Sequence, residues 1–194
     1  MKRFRSLVVV GSSGSGKTTL VNGLRTPTFE NRVVIPHRYI TRPHRLGDDL
    51  VENSHVDHPT FQSRVIAGLI DPHWERLLDG DRVERYGFDA TIDDDERLRI
   101  YSANNAFLRD INPSVVRTLS NGFVVVAMAA QESRKTRLGD RSPDMSDAER
   151  AVRLSDAGAD MLDASVPIEV VDTTNLSPEE GQLALQAIVG TIVS

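Results

Sequence analysis

The chain has 194 residues, of which 39% are hydrophobic and 26% charged, and its formal net charge is −5. This length suits one ordinary domain, and the composition is typical of a globular protein rather than a disordered one. The negative charge argues against general nucleic-acid binding, which depends on a basic surface. Because cysteine is absent, a disulfide framework and thiolate metal sites are excluded, and a reducing cytosol is compatible with the sequence.

Near the amino terminus an apolar run of four residues, 7–10, is interrupted by Gly11. It is too short for the core of a signal peptide or for a membrane span. We therefore expect a soluble, cytoplasmic protein without a membrane partner.

Strands and helices alternate in the predicted order of elements. Apolar, β-branched runs predict strands at residues 4–10, 32–36, 99–102, 123–130 and 168–171. Helical periodicity predicts helices at residues 17–25, 60–70, 108–119, 131–141, 147–162 and 177–193. This alternation is typical of a three-layer α/β/α domain with a parallel sheet. Residues 44–90 are largely polar and predict an excursion at the carboxyl edge of the sheet, where ligands bind.

A phosphate-binding loop lies between the first strand and the first helix, because residues 11–18 satisfy the pattern G-x-x-x-x-G-K-[ST]. Its backbone N–H groups form an anion nest, and the following helix directs its positive end at the same phosphates. Lys17 is expected to reach the β- and γ-phosphates of ATP, and the Thr18 hydroxyl to bind Mg²⁺. A chance glycine-serine turn is the alternative, but the pattern arises by chance in only about 1% of such chains. The expected nucleotide-binding residues are Gly11, Ser12, Ser13, Gly14, Ser15, Gly16, Lys17, Thr18 and Thr19.

Positive charge is carried almost entirely by arginine, since lysine occurs only at positions 2, 17 and 135. A genomic composition bias would explain this, and so would a need for guanidinium groups that bind phosphate oxygens in pairs. The placement of the arginines decides between these explanations.

The segment after the second predicted strand resembles the guanylate kinase family. Thr41, Arg42, Arg45, Gly47 and Asp48 match the spacing T-R-x-x-R-x-G-[ED] of its acceptor loop. The resemblance implies a P-loop kinase in which Arg42 and Arg45 hold the phosphate of the acceptor. Such a role suits a dianionic phosphate that must be held still for in-line transfer.

One branch of this family, the ribose 1,5-bisphosphate phosphokinases of phosphonate breakdown, is similar in further respects. Residues 37–43 read H-R-Y-I-T-R-P as in that branch, and its E-N-H-[IV] run is matched with Ser54 inserted. True guanylate kinases place a base-binding serine where this chain has Arg38. A third arginine suits a ligand with a second phosphate better than a purine ring.

Two further pairs, Trp74-Glu75 and Tyr86-Gly87, resemble positions with which the family contacts its acceptor. We therefore expect Glu75 and Tyr86 in the acceptor site. The chain departs from the family pattern here, because residues 71–85 are longer than usual and Phe88 replaces a small or hydroxyl residue. We interpret the five histidines as polar loop residues, since none has convincing metal-ligand spacing.

A helical lid is indicated by R-L-x-x-R at Arg137 and Arg141, followed by an acidic residue and R-L at Arg153. Arg137 and Arg141 are four residues apart on one helical face, where two like charges favour an anionic partner. Such arginines cover the developing charge on the γ-phosphate. The alternative is a solvated helix face that pairs with nearby carboxylates. No aspartate ends the strand at residues 123–130, so the sequence indicates no Mg²⁺ ligand beyond Thr18.

The sequence thus predicts one P-loop kinase domain over residues 1–194, which uses ATP and Mg²⁺. Its core would comprise residues 1–43 and 91–194, with an acceptor-binding insertion at about 44–90 and a lid at about 134–153. Ribose 1,5-bisphosphate is the preferred acceptor. The alternatives are a guanylate or other nucleoside monophosphate kinase, a non-catalytic guanylate-kinase-like binding module, and a GTPase, for which the sequence lacks an N-K-x-D run.

Overall fold

Two β-sheets organise the chain in a computed structural model, which describes residues 6–44, 48, 51–77, 82–91, 96–110, 124–141, 143, 145–155 and 168–193. In chain order the elements are β1 Ser6–Val10, α1 Lys17–Asn22, α2 Pro27–Glu30, β2 Val33–Val34, β3 Arg38–Ile40, β4 Asn53–His55, α3 His58–Ile66, β5 Ile70–Leu77, β6 Val83–Asp89, β7 Leu98–Ser102, α4 Asn105–Asp110, β8 Val124–Met128, α5 Gln131–Arg141, α6 Asp147–Ser155, β9 Ile168–Asp172 and α7 Pro178–Val193.

The first sheet is parallel, with the strand order β2-β7-β1-β8-β9. Every residue of its central strand β1 is buried, because both faces of the sheet are covered. Leu7 and Val9 pack into a core with helices α1 and α7, while Val8 and Val10 face an aromatic cluster on the other side. The predicted α/β fold with a parallel sheet is thereby confirmed.

The second sheet is mixed and has the order β4-β3-β6-β5. Strands β3 and β4 pair in parallel, whereas β3 with β6 and β5 with β6 are antiparallel. This sheet begins at Arg38, before the boundary near residue 44 that we expected for the insertion. The segment leaves the first sheet after β2 and returns to it at β7, which pairs with β2 through Val33 and Leu98.

Aromatic side chains join the two sheets. Trp74 stacks on Tyr86 with ring centroids 5.5 Å apart, and it meets the edge of Phe107 at 4.9 Å. Phe88, which departs from the family pattern, is 1% exposed and packs against Tyr101 of β7 at 4.9 Å. Large aromatic residues contribute much of the apolar area that a core of this size can bury.

The hairpin formed by β5 and β6 was not predicted from the sequence. The helix expected at residues 60–70 begins at His58, after an N-cap in which Asp57 accepts a hydrogen bond of 2.7 Å from the Thr60 N–H, and it ends at Ile66. Ile70 already belongs to β5. Of the helix expected at residues 108–119 the structure shows α4, and the range beyond residue 110 lies outside the described residues. Residues 156–162 of another predicted helix also lie outside them.

In the part of the chain that the structure describes, no helix is both long enough and apolar enough to cross a membrane.

The tight contact between β5 and β6 at Gly87 yields a prediction. A Cβ at this position would lie 2.2 Å from Ile70 Cγ2 and 3.0 Å from His73 Cβ. We expect Gly87→Ala to lower the free energy of unfolding by about 1–3 kcal/mol, because the strands must separate to admit the methyl group. Urea denaturation measures the change.

Gly190→Ala is the matched control, since nothing lies within 4 Å of a Cβ at Gly190 in helix α7. This variant should be more stable than the wild-type protein by about 0.5–1 kcal/mol, because alanine favours the helix. Equal stability of Gly87→Ala and the wild type would contradict the described packing of β5 against β6.

Candidate active site

A cavity of about 290 Å³ lies where the glycine-rich loop, the second sheet and the helices α5 and α6 meet. It is lined by Ser13, Gly14, Gly16, Lys17, Thr18, Thr19, Arg38, Arg42, Arg76, Tyr86, Ser102, Asn104, Arg137, Leu138, Met145 and Arg153. The strands β1 and β7 are parallel neighbours, so their carboxyl ends place the loop and Ser102 at the same edge of the sheet. Ligands of open α/β sheets bind at such an edge.

The loop between β1 and α1 has the backbone shape of an anion nest. Gly14 and Gly16 have φ angles of 80° and 86°, a left-handed conformation that favours glycine. Lys17 Nζ folds back over the loop and donates to the carbonyl oxygens of Gly11 and Ser12, at 2.6 and 2.8 Å. The ammonium group is thus held beside the position that a phosphate takes in such a nest.

Two residues with amide side chains follow strand β7 next to the cavity. Asn104 Oδ1 accepts a hydrogen bond from Trp74 Nε1 at 3.0 Å, and Asn105 Nδ2 donates to Ser12 Oγ at 3.0 Å. The cavity-lining residues that the structure describes include no carboxylate, and no group of three candidate metal ligands occurs among the described residues. Thr18 lines the cavity beside Lys17, and its hydroxyl is an oxygen donor of the kind that Mg²⁺ prefers.

Arg38 is fixed by the strand that runs beside it. Because β3 and β4 pair in parallel with Arg38 opposite Asn53, the guanidinium group donates from Nε to Asn53 Oδ1 at 2.8 Å. Its Nη1 donates to the carbonyl oxygen of Ser102 at 2.7 Å, and Nη2 lies 3.8 Å from Glu52 Oε1. Glu52 and Asn53 matched the E-N-H-[IV] run of the family, but that match assigned them no role. The structure shows that they orient an arginine of the cavity wall.

Arg42 forms a two-pronged ion pair with the buried carboxylate of Asp48, at 2.6 and 2.7 Å. Burial alone would lower the pKa of Arg42, but the hydrogen bonds and charge of Asp48 outweigh it and raise this pKa. The carbonyl oxygen of Arg42 accepts a hydrogen bond from His55 Nδ1 at 2.9 Å. Burial, and less strongly the nearby charge of Arg42, lower the pKa of His55.

A buried ionic network ties helix α6 to the β5–β6 hairpin. Arg153 donates from Nη2 to Glu84 Oε1 at 3.1 Å and from Nε to Glu149 Oε1 at 2.9 Å. The Tyr86 hydroxyl donates a hydrogen bond to Glu84. Burial and the charge of that carboxylate raise the pKa of Tyr86. Arg82 reaches Glu149 Oε2 from the solvent side at 2.7 Å. The network holds Arg153 in the cavity wall.

The arginines of α5 bind backbone oxygens of the glycine-rich loop. Arg137 donates to the carbonyl oxygens of Gly14 and Thr173, at 3.3 and 2.7 Å. Arg134 donates from Nε to the Ser13 carbonyl at 3.1 Å and from Nη2 to the Arg153 carbonyl at 2.8 Å. Helix α5 therefore contacts the loop directly, and Arg134 joins it to α6. We call α5 and α6 the lid helices.

The structure brings eleven of the predicted site residues to the cavity. Gly11, Ser12 and Ser15 belong to the phosphate loop but do not line the cavity. Glu75 lies on the outer face of β5, where it is exposed and pairs with Arg85 at 2.7 Å, so it is not part of the cavity. Arg45 and the side chain of Arg141 lie outside the described residues. The predicted residues that line the cavity are Ser13, Gly14, Gly16, Lys17, Thr18, Thr19, Arg38, Arg42, Tyr86, Arg137 and Arg153.

Sequence reasoning missed Arg76, because the strand that carries it was not predicted. Strand β5 alternates strictly between buried and exposed residues, and Trp74 faces inward. A period of two therefore places Arg76, rather than Glu75, on the side of the cavity. It missed Glu84 and Asn104 as well, and these have no pattern of their own in the sequence.

Comparison with known proteins agrees with this geometry, although no family model matches the chain. The chain is 30% identical over 139 residues to ribose 1,5-bisphosphate phosphokinase PhnN of Rhodopseudomonas palustris, covering 71% of this chain and 67% of that protein. It is 41% identical over 73 residues to PhnN of Yersinia pestis. This second match spans 37% of the chain and only 35% of the relative.

Solved structures show the same fold at low sequence identity. Guanylate kinase from Anaplasma phagocytophilum superposes with a TM-score of 0.58 at 17% identity, over 99% of this chain and 87% of that one. A gluconokinase from Sinorhizobium meliloti gives a TM-score of 0.50 at 15% identity, over 99% and 95% of the two chains.

The parallel sheet, the phosphate loop and the helices that pack on it give the chain a guanylate-kinase-like P-loop fold. Within that class, the similarity to sequence relatives identifies a family, whereas the fold alone does not. The chain belongs to the family of ribose 1,5-bisphosphate phosphokinases, PhnN.

The ionic network at Arg153 generates a prediction about stability. Both carboxylates of the network are largely buried, whereas the Arg82 side chain is 57% exposed. Glu84→Gln should lower the free energy of unfolding by about 2–4 kcal/mol, because Arg153 then loses a buried counter-charge. Arg82→Gln should change it by less than about 1 kcal/mol, because solvent screens that pair.

A double-mutant cycle of Glu84→Gln with Arg153→Met, followed by chemical denaturation, measures the coupling between the two side chains. We expect a coupling of about 1–3 kcal/mol. Additive effects of the two substitutions would show that Glu84 does not hold Arg153.

Proposed function

We propose that the protein transfers the γ-phosphoryl group of ATP to a phosphate of ribose 1,5-bisphosphate, giving 5-phosphoribosyl diphosphate. One observation carries this proposal: the cavity sets arginines opposite a phosphate loop, and the lining residues that the structure describes include neither a carboxylate nor an imidazole. A kinase of a sugar hydroxyl needs a base that accepts the hydroxyl proton. A phosphate oxygen is already ionised at neutral pH, since its second pKa is about 6.

The nucleotide side of the site follows from the loop. The loop amides and the α1 amino terminus would bind the β- and γ-phosphates, and Lys17 would exchange a loop carbonyl for a phosphate oxygen. Thr18 would hold Mg²⁺, which would supply positive charge that offsets the charge of those phosphates. Thr19 lines the same wall. This arrangement gives ATP the role of donor.

The acceptor side rests on Arg38 and Arg42, which enter the cavity from the second sheet. Asn53 and the Ser102 carbonyl fix the direction of the Arg38 guanidinium, and Asp48 fixes that of Arg42. Two oriented arginines suit an acceptor that carries two phosphate groups, because each guanidinium binds phosphate oxygens in pairs. The names of the matching relatives support the same acceptor.

The lid helices would complete the site around the transferred group. Arg137 and Arg153 face the cavity from α5 and α6, and Arg141 extends the same family pattern. Arginines in such positions stabilise the charge of the transition state. A closed lid would also exclude water and so prevent the hydrolysis of ATP without an acceptor.

The first test is an acceptor panel. ADP release from Mg-ATP is measured with ribose 1,5-bisphosphate, ribose 5-phosphate, GMP, AMP and no acceptor. We expect ribose 1,5-bisphosphate to stimulate release most strongly, and Lys17→Ala to abolish the stimulation while its circular dichroism spectrum stays unchanged. Stimulation by GMP alone would identify a nucleotide kinase, and no stimulation at all would favour a non-catalytic binding module.

A second prediction concerns the choice between one and two acceptor phosphates. Arg38→Ser should raise the KM for a bisphosphate acceptor by about 10–100-fold and that for a monophosphate acceptor by less, because one phosphate loses its guanidinium partner. Steady-state kinetics with ribose 1,5-bisphosphate and ribose 5-phosphate compare the two. Equal losses would show that Arg38 does not recognise the second phosphate.

A further inference from the structure

Arg76 is a buried arginine that neither the family motifs nor the phosphate loop accounts for. It lies on the inner face of β5, two residues after Trp74, and only 4% of it is exposed. Its Nη1 lies 3.3 Å from the hydroxyl oxygen of Ser13 in the phosphate loop. An arginine of the second sheet thus crosses the cavity and contacts the loop that would hold ATP.

The other arginines that line the cavity bind different sets of partners. Asn53 and Ser102 hold Arg38, Asp48 holds Arg42, and Glu84 with Glu149 holds Arg153. Arg137 of helix α5 donates to the Gly14 carbonyl of the loop. Among the described residues that line the cavity, Arg76 is the arginine that extends from the acceptor sheet to the loop.

Under the proposed function, two anions would meet between the phosphate loop and the second sheet, where Arg76 lies. The loop would bind the terminal phosphate of ATP, and the arginines of β3 and the following segment would bind the acceptor phosphate. Both phosphates carry negative charge, and they repel each other strongly as they approach in a site that excludes water. A guanidinium group presents its N–H donors in a planar fork, so it can bind oxygens of two groups at once.

We propose that Arg76 is a further catalytic residue, which binds the terminal phosphate of ATP and the attacking phosphate of the acceptor together. This inference rests on the proposed function and deepens it. In the step itself an acceptor oxygen forms a bond to Pγ, and the bond between Pγ and the bridging oxygen breaks. ADP leaves with that electron pair. Arg76 stays protonated throughout and offsets the repulsion between the two phosphates.

The test measures how the two ligands affect each other's binding. Calorimetry gives the Kd of ribose 1,5-bisphosphate with and without a non-hydrolysable ATP analogue, for the wild type, Arg76→Gln, Arg76→Lys and Arg85→Gln. Arg85 is the matched control, because it lies on the same hairpin but pairs with Glu75 on the outer face. Thermal unfolding checks that each variant is folded.

In Arg76→Gln the ATP analogue should weaken acceptor binding by at least about tenfold relative to its effect on the wild type, a coupling of ordinary size. Each ligand alone should also lose affinity, because Arg76 would bind each phosphate, but by less than the change in the coupling. The kcat should fall by about 10²–10³-fold. Arg76→Lys should retain part of the coupling, because it keeps the charge and loses the fork. Arg85→Gln should retain all of it.

An unchanged coupling in Arg76→Gln would overturn the inference. So would the same loss of coupling in Arg85→Gln, or a loss of affinity for a single ligand that exceeds the change in the coupling. If Arg76→Gln does not fold, Arg76→Lys decides, and an unchanged coupling there has the same meaning. If the wild type does not bind ribose 1,5-bisphosphate, the proposed acceptor is wrong. The coupling is then measured with inorganic pyrophosphate as the second anion, which still decides the role of Arg76.

Discussion

Positive charge gathered around one cavity is the constraint on which the rest of the structure depends. Burying a cation costs free energy unless a counter-charge or hydrogen-bond acceptor is buried with it. The partners are spread widely over the chain: Asp48 follows β3, Glu84 lies on β6 and Glu149 on α6. The cavity therefore fixes the positions of elements far apart in sequence. Its cationic side chains are Lys17, Arg38, Arg42, Arg76, Arg137 and Arg153.

Four of these cations form two groups according to the kind of partner that they bind. Arg42 and Arg153 bind carboxylates, and such charge-assisted pairs are the stronger ones. Lys17 and Arg137 bind neutral backbone carbonyl groups of the phosphate loop and its surroundings. A phosphate oxygen is a better acceptor than a carbonyl oxygen. An anion in the loop thus competes most easily for Lys17 and Arg137, while the carboxylate pairs keep the walls of the cavity in place.

A feature could be predicted from the sequence when the residues that form it lie close together along the chain. The residues of the phosphate loop were predicted as a set, because they are contiguous and match one short pattern. Arg38 and Arg42 came from a short string that covers β3 and the segment after it. The β5–β6 hairpin was missed, since Pro72 and Arg76 occupy inward positions of β5 and hide the apolar alternation that predicts a strand. Glu75 was predicted instead of Arg76 because the pair Trp74-Glu75 resembles a family position, and that resemblance does not show which face of a strand each residue takes. The partnership of Glu84 with Arg153 joins residues 69 positions apart, which no local pattern encodes.

The aromatic cluster between the two sheets has a further consequence. Trp74 is the single tryptophan of the chain, it is 3% exposed, and it stacks on Tyr86, which lines the cavity. Its indole N–H binds Asn104 at the end of β7. An indole in so apolar a setting emits at short wavelength, and its emission depends on the ring beside it and on its hydrogen bond. The unmodified protein therefore carries its own optical reporter, placed where the two sheets and the cavity meet.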